Sequence, residues 1–203
     1  MFSLYTVQQP LDFEADIVFL MDGSSFVTQS NLIDEKDFVK SLARFLNVSP
    51  GTSRAALVLY GTFSITEMRF NDSRSWRDFS DGVDLAQAVG GLRRMDIALK
   101  EATNLLADKR RGVPHVVVLV TTGEQSSSEG DIPLDDALEP LENLGVHTFV
   151  VAIGHDPDTS TNILRVPSFK ALPSRAYDMA RQIKFISGIE ISCVCNMHDI
   201  DFL

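Results

Sequence analysis

Two apolar segments each end in polar side chains that could bind a ligand or do chemistry. The first, DIVFLMDGSS (residues 16–25), places the carboxylate of Asp22 directly before a glycine and two serines. The second, VVVLVTTGE (residues 116–124), ends in two threonines, a glycine and Glu124. Carboxylate and hydroxyl oxygens bind hard divalent cations, and a carboxylate can also act as a nucleophile. Because ligands bind beyond the carboxyl ends of parallel strands in an open α/β sheet, we expect the two segment ends to form one site.

The elements that must position these ends follow from the hydrophobic pattern. Four short apolar runs predict buried parallel strands, namely Ile17–Met21, Ala55–Tyr60, Val116–Val120 and Thr148–Ile153. Apolar stripes at helical spacing predict helices over about Leu32–Leu46, Ala98–Leu106 and Leu134–Leu144. The remaining predictions are an antiparallel edge strand over Ser64–Phe70, a final strand over Ala176–Met179 and a closing helix from Ala180 to about Ile191. The predicted fold class is therefore α/β, with a doubly wound, mostly parallel central sheet, one antiparallel edge strand and helices on both faces.

Length, composition and charge restrict the kind of protein. A chain of 203 residues with 44% hydrophobic side chains suits one domain with a sizeable core. Its net charge of -10 disfavours a nucleic-acid partner, because a phosphate backbone needs a basic surface. No apolar stretch approaches the roughly 20 residues that cross a bilayer, so we expect no membrane insertion.

The two ends of the chain differ from the predicted domain. We expect an N-terminal extension over residues 1–15, the domain over residues 16–192 and a tail over residues 193–203. The extension lacks the basic and apolar regions of a secretory signal, so the chain is either intracellular or a segment of a longer protein. Cys193 and Cys195 are too close together to cross-link the domain by pairing with each other. They are disulfide candidates for attachment to something outside the fold, or unpaired thiols in a tail.

Enzyme interpretations have little support in the sequence. It contains no G-x-S-x-G elbow, G-x-G-x-x-G fingerprint or P-loop, and its histidines are scattered without ligand spacing. One alternative is a haloacid-dehalogenase-type phosphatase, in which Asp22, Thr121 and the pair Asp135-Asp136 would take the catalytic roles. The second acid of that nucleophile motif is Ser24 here. We therefore expect no catalysis.

A different family matches nearly the whole predicted domain. The segments ADIVFLMDGSS, SRAALVLYG, VGG followed by MDIALKEA, GVPHVVVLVTTGE and GVHTFVVAIG occur in this order. Together they resemble von Willebrand factor A domains, called I domains in integrins. The arrangement is most similar to the N-terminal A domains of collagen VI α3-type chains, whose modules often end in Ser-Cys-Val, as residues 192–194 do here.

The resemblance implies a site for one Mg or Mn ion, the metal-ion-dependent adhesion site, whose open position takes a carboxylate from the partner. In that family the ligands are a D-x-S-x-S run, a Thr in a G-G-x-T loop and an Asp after a later strand. Asp22 and Ser24 match the first two ligand positions. The next positions hold Phe26, Arg93 and Thr122 instead of Ser, Thr and Asp.

These departures remove oxygen donors and add a permanent cation. We therefore expect no bound cofactor, with Mg or Mn held only if Glu124 or Asp96 substitutes for a missing acid. We also expect the guanidinium of Arg93 to face Asp22 where the family places the metal.

The resemblance implies a secreted, non-catalytic interaction module of an extracellular matrix protein, as part of a longer chain. Its partners would be matrix proteins such as collagens or neighbouring A domains. The expected partner-binding face consists of Asp22, Ser24, Ser25, Phe26, Arg93, Thr122 and Glu124. The alternative is a structural spacer in a chain of A domains. Asn71 and Asn47 begin N-glycosylation sequons, the second of which is weakened by the following Pro50.

Overall fold

The computed structural model describes residues 9–49, 51–154 and 162–186. Six strands form one sheet in the order β3-β2-β1-β4-β5-β6. Their bounds are β1 Asp16–Asp22, β2 Arg54–Tyr60, β3 Ser64–Met68, β4 His115–Thr121, β5 His147–Ile153 and β6 Asn162–Val166. β3 is antiparallel to β2, and all other neighbouring strands are parallel. The predicted fold class is confirmed, including the antiparallel edge strand.

Five α-helices cover the sheet. Their bounds are α1 Gln29–Phe45, α2 Trp76–Leu85, α3 Met95–Leu105, α4 Leu134–Asn143 and α5 Ala176–Ile186. The apolar sides of α1, α2 and α5 form one core with one face of the sheet, and those of α3 and α4 form a second core with the other face. Side chains alternate along a strand, so Phe19 of β1 enters the first core and Leu20 enters the second.

The helices α1 and α2 each begin with a side-chain cap. Thr28 accepts a hydrogen bond from the backbone N–H of Asn31 at the start of α1, and Ser75 accepts one from Asp78 at the start of α2. The cap at Thr28 fixes the loop that joins the end of β1 to α1. That loop carries Ser24, Ser25 and Phe26.

Two sequence predictions about the last third of the chain are wrong, namely the strand over Ala176–Met179 and the start of the closing helix at Ala180, since α5 begins at Ala176. Ala176–Met179 is not a strand, because Ala176, Met179, Ala180 and Ile183 are buried at helical spacing and form one side of α5. The sixth strand is instead β6, which pairs in parallel with β5. The predicted end of the closing helix near residue 191, the boundary at residue 192, and Cys193 and Cys195 lie outside the described residues.

No helix in the described part of the chain combines the length and the apolar character needed to cross a membrane. The parallel direction of β1, β2 and β4 brings their carboxyl ends to one edge of the sheet. Asp22 is the last residue of β1 and Thr121 the last of β4, and both are fully buried. The site predicted from the two segment ends is therefore assembled at this edge.

Candidate functional site

Four loops form the edge of the sheet at which β1 and β4 end. We call this surface the rim and define it as residues 22–26, 61–63, 90–93 and 122–126. Hydrogen bonds join the first and third of these loops, since Gly91 N donates to Ser25 Oγ at 2.7 Å and Ser25 N donates to Gly91 O at 3.0 Å. Leu92 N donates to Thr62 Oγ1 at 2.9 Å, which attaches the second loop.

Two consecutive glycines shape the third loop. Gly90 and Gly91 have φ of 79° and 73°, in the left-handed region that favours glycine. Gly90 N also donates to Gly23 O at 2.7 Å, so the backbone passes close to the end of β1. As a result, the side chain of Arg93, two residues after Gly91, extends across the rim toward Asp22.

The guanidinium of Arg93 lies between the ends of β1 and β4. Its Nε donates to Asp22 Oδ2 at 2.8 Å, and its Nη1 donates to the backbone oxygen of Glu124 at 3.1 Å. Its Nη2 donates to the hydroxyl of Thr122. The pairing of Arg93 with Asp22 that the sequence predicts is present. The Arg93 side chain is only 9% exposed, and that of Asp22 is fully buried.

Phe26 completes the cover over this ion pair. Its ring centroid lies 4.6 Å from the Arg93 guanidinium carbon, a distance at which the ring face attracts a cation. The other side of the Asp22 carboxylate is held by its own loop, since Ser24 N donates to Asp22 Oδ1 at 3.0 Å. Thus Asp22, Ser24, Phe26, Arg93 and Thr122 are brought together.

These residues do not supply the oxygen donors of a divalent ion. Phe26 offers no oxygen, the Thr122 hydroxyl accepts from Arg93, and the Arg93 Nε contacts the Asp22 oxygen that a metal would need. Within the described residues, no three His, Cys, Asp or Glu side chains come together as a metal site.

The substitute acids considered from the sequence are engaged elsewhere or point to solvent. Asp96 receives hydrogen bonds from Arg94 Nε at 2.8 Å and Nη2 at 2.6 Å. Burial raises the pKa of Asp96, but the paired Arg94 outweighs this effect and holds it below the ordinary value. Glu124 has an exposed side chain and contributes its backbone oxygen to Arg93. The idea that Asp96 completes the metal site is therefore not supported, because its carboxylate is already neutralised.

The phosphatase alternative lacks an accessible nucleophile. Asp22 is fully buried beneath Arg93 and Phe26. Asp135 and Asp136 are exposed in the first turn of α4, and the Thr121 hydroxyl donates to Gly123 O at 2.9 Å.

A buried acid beneath the site was missed by the sequence analysis. Glu35 of α1 is fully buried, and its Oε1 accepts from the backbone N–H of Asp22 at 3.1 Å. Burial raises the pKa of Glu35 well above its ordinary value, and the nearby Asp22 charge adds to the effect. The signal was available, since Glu35 lies on the same helical stripe as Leu32 and Val39.

Comparison with known proteins identifies the family of the domain. The sequence model that describes the von Willebrand factor type A domain family matches residues 16–181. The chain belongs to this family. It is 30% identical over 168 residues to von Willebrand factor A domain-containing protein 1 of Bos taurus, covering 81% of this chain and 38% of that protein. It is 26% identical over 171 residues to the collagen alpha-4(VI) chain of Mus musculus, covering 84% of this chain and 7% of the collagen chain.

A solved structure of the same fold contains zinc in its MIDAS motif. Proximal thread matrix protein 1 from the mussel byssus, with a zinc-occupied MIDAS motif, superposes with a TM-score of 0.74 and 22% identity, covering 86% of this chain and 47% of that chain. At this identity the likeness supports the fold alone. The chain spans less than half the length of each of these relatives. Matrix proteins, including a collagen VI chain, thus contain domains of this family.

Proposed function

We propose that this domain is a non-catalytic protein-interaction module of an extracellular matrix protein and that it binds its partner through the rim without a bound metal. One observation carries the proposal. The Arg93 guanidinium contacts Asp22, Thr122 and Glu124, and Phe26 covers it. The sequence resemblance assigns Asp22 and the position of Arg93 to the ligands of the family's ion. A metal ion with an open coordination position would attract a carboxylate of the partner. The Arg93–Asp22 ion pair is neutral overall and is covered by Phe26, so it does not provide that attraction.

The exposed side chains of the rim indicate which chemical groups such a partner contributes. Phe26 is 57% exposed, Phe63 55% and Leu92 38%, and the hydrogen-bonded loops hold all three on the same edge of the sheet. Exposed apolar groups of this kind, bordered by polar residues, are typical of protein contact surfaces. The exposed side chain of Glu124 adds a carboxylate to the rim. We infer a partner that contributes apolar side chains and a basic group, rather than a single carboxylate.

A binding measurement with and without metal tests this proposal. Immobilised collagens and neighbouring A domains are exposed to the chain in Mg and then in a chelator, and the dissociation constants are compared. We expect equal affinities under the two conditions. Phe26→Ala should weaken binding about tenfold or more, since a central aromatic residue often dominates an interface. Phe185→Ala is the matched control, because Phe185 is 55% exposed on the last turn of α5, away from the rim. Binding that disappears in the chelator contradicts the proposal.

A spacer role is the second candidate, and one observation favours it. Phe185 and Ile186 are both exposed at the end of α5, at the opposite end of the sheet from the rim. Apolar groups where the chain leaves the domain can pack against the next domain in a series. If Phe185→Ala changes the stability of a two-domain fragment and Phe26→Ala does not affect any partner, the spacer role is the better description.

A further inference from the structure

The end of the sheet opposite the rim contains a cavity that the proposed function does not use. The cavity has a volume of about 440 Å³ and is lined by the segments that precede β2 and β4 and that follow β3. Three arginines line it, Arg54, Arg74 and Arg110, together with Phe70 and several serines. We call it the arginine cavity. A concentration of guanidinium groups is unusual on a chain whose net charge is -10.

Two of the three arginines are fixed in place by one buried acid. Arg54 Nη2 contacts Asp16 Oδ2 at 2.6 Å, and Arg110 Nε contacts Asp16 Oδ1 at 2.7 Å. Arg54 also stacks on Phe70, with its guanidinium carbon 4.9 Å from the ring centroid. The wall therefore carries the charges of two guanidiniums beside those of the buried Asp16 and the exposed Glu14, which Arg110 contacts at 2.9 Å.

The third arginine adds a cation at the mouth of the cavity. The Arg74 side chain is exposed and makes no ion pair with any residue in the described part of the chain. Its backbone N–H donates to Asp78 Oδ2 at 2.9 Å, so the main chain is fixed while the side chain is available. Guanidinium groups bind carboxylates with paired, charge-assisted hydrogen bonds. The cavity is therefore suited to a carboxylate delivered on a narrow segment.

The opposite end of the same molecule presents such a segment. Between β4 and α4, Ser128 and Asp131 close a turn, since Asp131 N donates to Ser128 O at 3.2 Å and Ser128 N donates to Asp131 Oδ2 at 3.3 Å. Glu129 lies at the tip of this turn and is exposed. The side chain of Arg94 stabilises the turn, since its Nη1 donates a hydrogen bond to Ser128 Oγ at 2.9 Å. The carboxylate is thus presented on a preorganised support, which lowers the ordering cost of binding.

We propose that the arginine cavity binds the Glu129 turn of a second copy of this chain, so that copies join head to tail. The two surfaces lie at opposite ends of the sheet and are complementary in charge, because one has the exposed Arg74 at its mouth and the other has the exposed Glu129. A contact between two different surfaces of identical copies leaves one of each surface unused in a pair of copies, so it continues into chains or rings rather than stopping at a symmetric dimer. The contact is small and largely electrostatic, so added salt weakens it.

Charge reversal with rescue tests the proposal by sedimentation of the unglycosylated chain at increasing concentration and low ionic strength. The average mass of the wild type should rise with concentration beyond that of a dimer and fall when salt is added. Arg74→Glu and Glu129→Lys should each weaken association about tenfold or more. An equimolar mixture of these two variants should associate again, because the intact turn of the first fits the intact cavity of the second.

Matched controls separate this contact from general charge effects. Arg77→Glu changes an exposed arginine on α2 outside the cavity, and Glu139→Lys changes an exposed acid on α4 away from the turn. Both should associate as the wild type does. Association should also be unchanged by Phe26→Ala and by a chelator, so this inference and the proposed rim function can fail separately.

Three results overturn the inference. One is a wild type that stays monomeric at every concentration. Another is a pair of charge-reversal variants that associate as well as their controls do. The third is a mixture of Arg74→Glu and Glu129→Lys that associates no better than either variant alone.

Discussion

At the scale of single residues, the ion pair between Arg93 and Asp22 joins the end of β1 to the loop before α3. Removing one partner of a buried pair leaves the other charge without compensation, which costs about 3 to 5 kcal/mol. Because Asp22 is fully buried, we expect Arg93→Ala to lower the free energy of unfolding by about 3 kcal/mol or more. Urea unfolding measures this value. Arg77→Ala, at an exposed position, should stay within about 0.5 kcal/mol of the wild type.

The neighbouring Arg94 is not a neutral control for this experiment. It makes two hydrogen bonds to the nearly buried Asp96 and holds the turn after β4. Arg94→Ala should therefore also destabilise the protein. The loss is limited because Asp96 still accepts a hydrogen bond from the backbone N–H of Ile132 at 3.3 Å. An Arg93→Ala variant as stable as Arg77→Ala would show that the pair contributes nothing.

Restoring the family ligands should convert the site into a metal site. The triple change Phe26→Ser, Arg93→Thr and Thr122→Asp replaces the cation and the ring by three oxygen donors around Asp22. We expect Mg to raise the melting temperature of this variant, with about 2.7 kcal/mol of stabilisation at a hundredfold excess of Mg over its dissociation constant. The wild type should not respond. Thr122→Asp alone is the control, because Arg93 still contacts Asp22 in that variant.

The approach of Arg93 to Asp22 could be predicted, because the family resemblance aligns Arg93 with a ligand position. The exposed Phe63 and Leu92 of the rim were not predicted, since the family motif assigns them no role. The helical stripe of α1 indicates that Glu35 is buried, but its contact with Asp22 depends on how α1 packs against the sheet. The pair Arg94–Asp96 likewise depends on how the turn after β4 packs.

At the scale of elements, Asp16 ties three segments together at the amino ends of the strands. It is the first residue of β1 and accepts hydrogen bonds from Arg54 at the start of β2 and from Arg110 before β4. Burial raises the pKa of Asp16, but these arginines outweigh burial and hold the pKa below its ordinary value of 3.8. An acid with a lowered pKa in the folded state stabilises the fold above its unfolded pKa. The stabilisation is lost as pH falls through the folded pKa.

We therefore expect Asp16→Asn to be destabilising at neutral pH by about 1 to 3 kcal/mol, since both arginines lose a charged acceptor. The two arginine side chains are partly exposed and can be solvated, which limits the loss. The difference from the wild type should shrink when the pH falls below 3.8. Denaturant unfolding at several pH values measures it. Glu14→Gln, at an exposed partner of Arg110, should cost under about 1 kcal/mol, and a pH-independent Asp16→Asn effect would contradict this account.

Strands buried on both faces were predicted well, and the elements at the periphery were not. Continuous apolar runs such as Val116–Val120 have few alternatives to a central strand. In contrast, β6 is short and carries Arg165, so its pattern is weak. The helix α2 contains Gly82 and several charged residues, and its buried residues are Phe79, Ser80 and Val83. Tertiary contacts, rather than local pattern, decide these elements.

At the scale of the whole molecule, the two ends of the sheet have different chemistry. The rim presents apolar groups over a neutralised ion pair, and the opposite end presents the arginine cavity. The sequon Asn71 lines that cavity and is exposed, and its Oδ1 accepts from Arg54 at 3.5 Å. The other sequon residue, Asn47, is half-buried, and its backbone oxygen accepts from Thr52 at 2.6 Å. We therefore expect secreted protein to carry its glycan on Asn71 and not on Asn47.

A glycan on Asn71 should regulate head-to-tail association, because a bulky sugar at the lip of the cavity excludes the Glu129 turn of another copy. Protein secreted from a glycosylating cell should lose one glycan in Asn71→Gln and none in Asn47→Gln, as read by mass spectrometry. The unglycosylated Asn71→Gln variant should associate more strongly than the glycosylated wild type, and Asn47→Gln should associate as the wild type does. Enzymatic removal of the sugar from the wild type should give the same increase. A glycan found on Asn47, or equal association with and without the sugar, would show that the cavity and the glycan are not coupled.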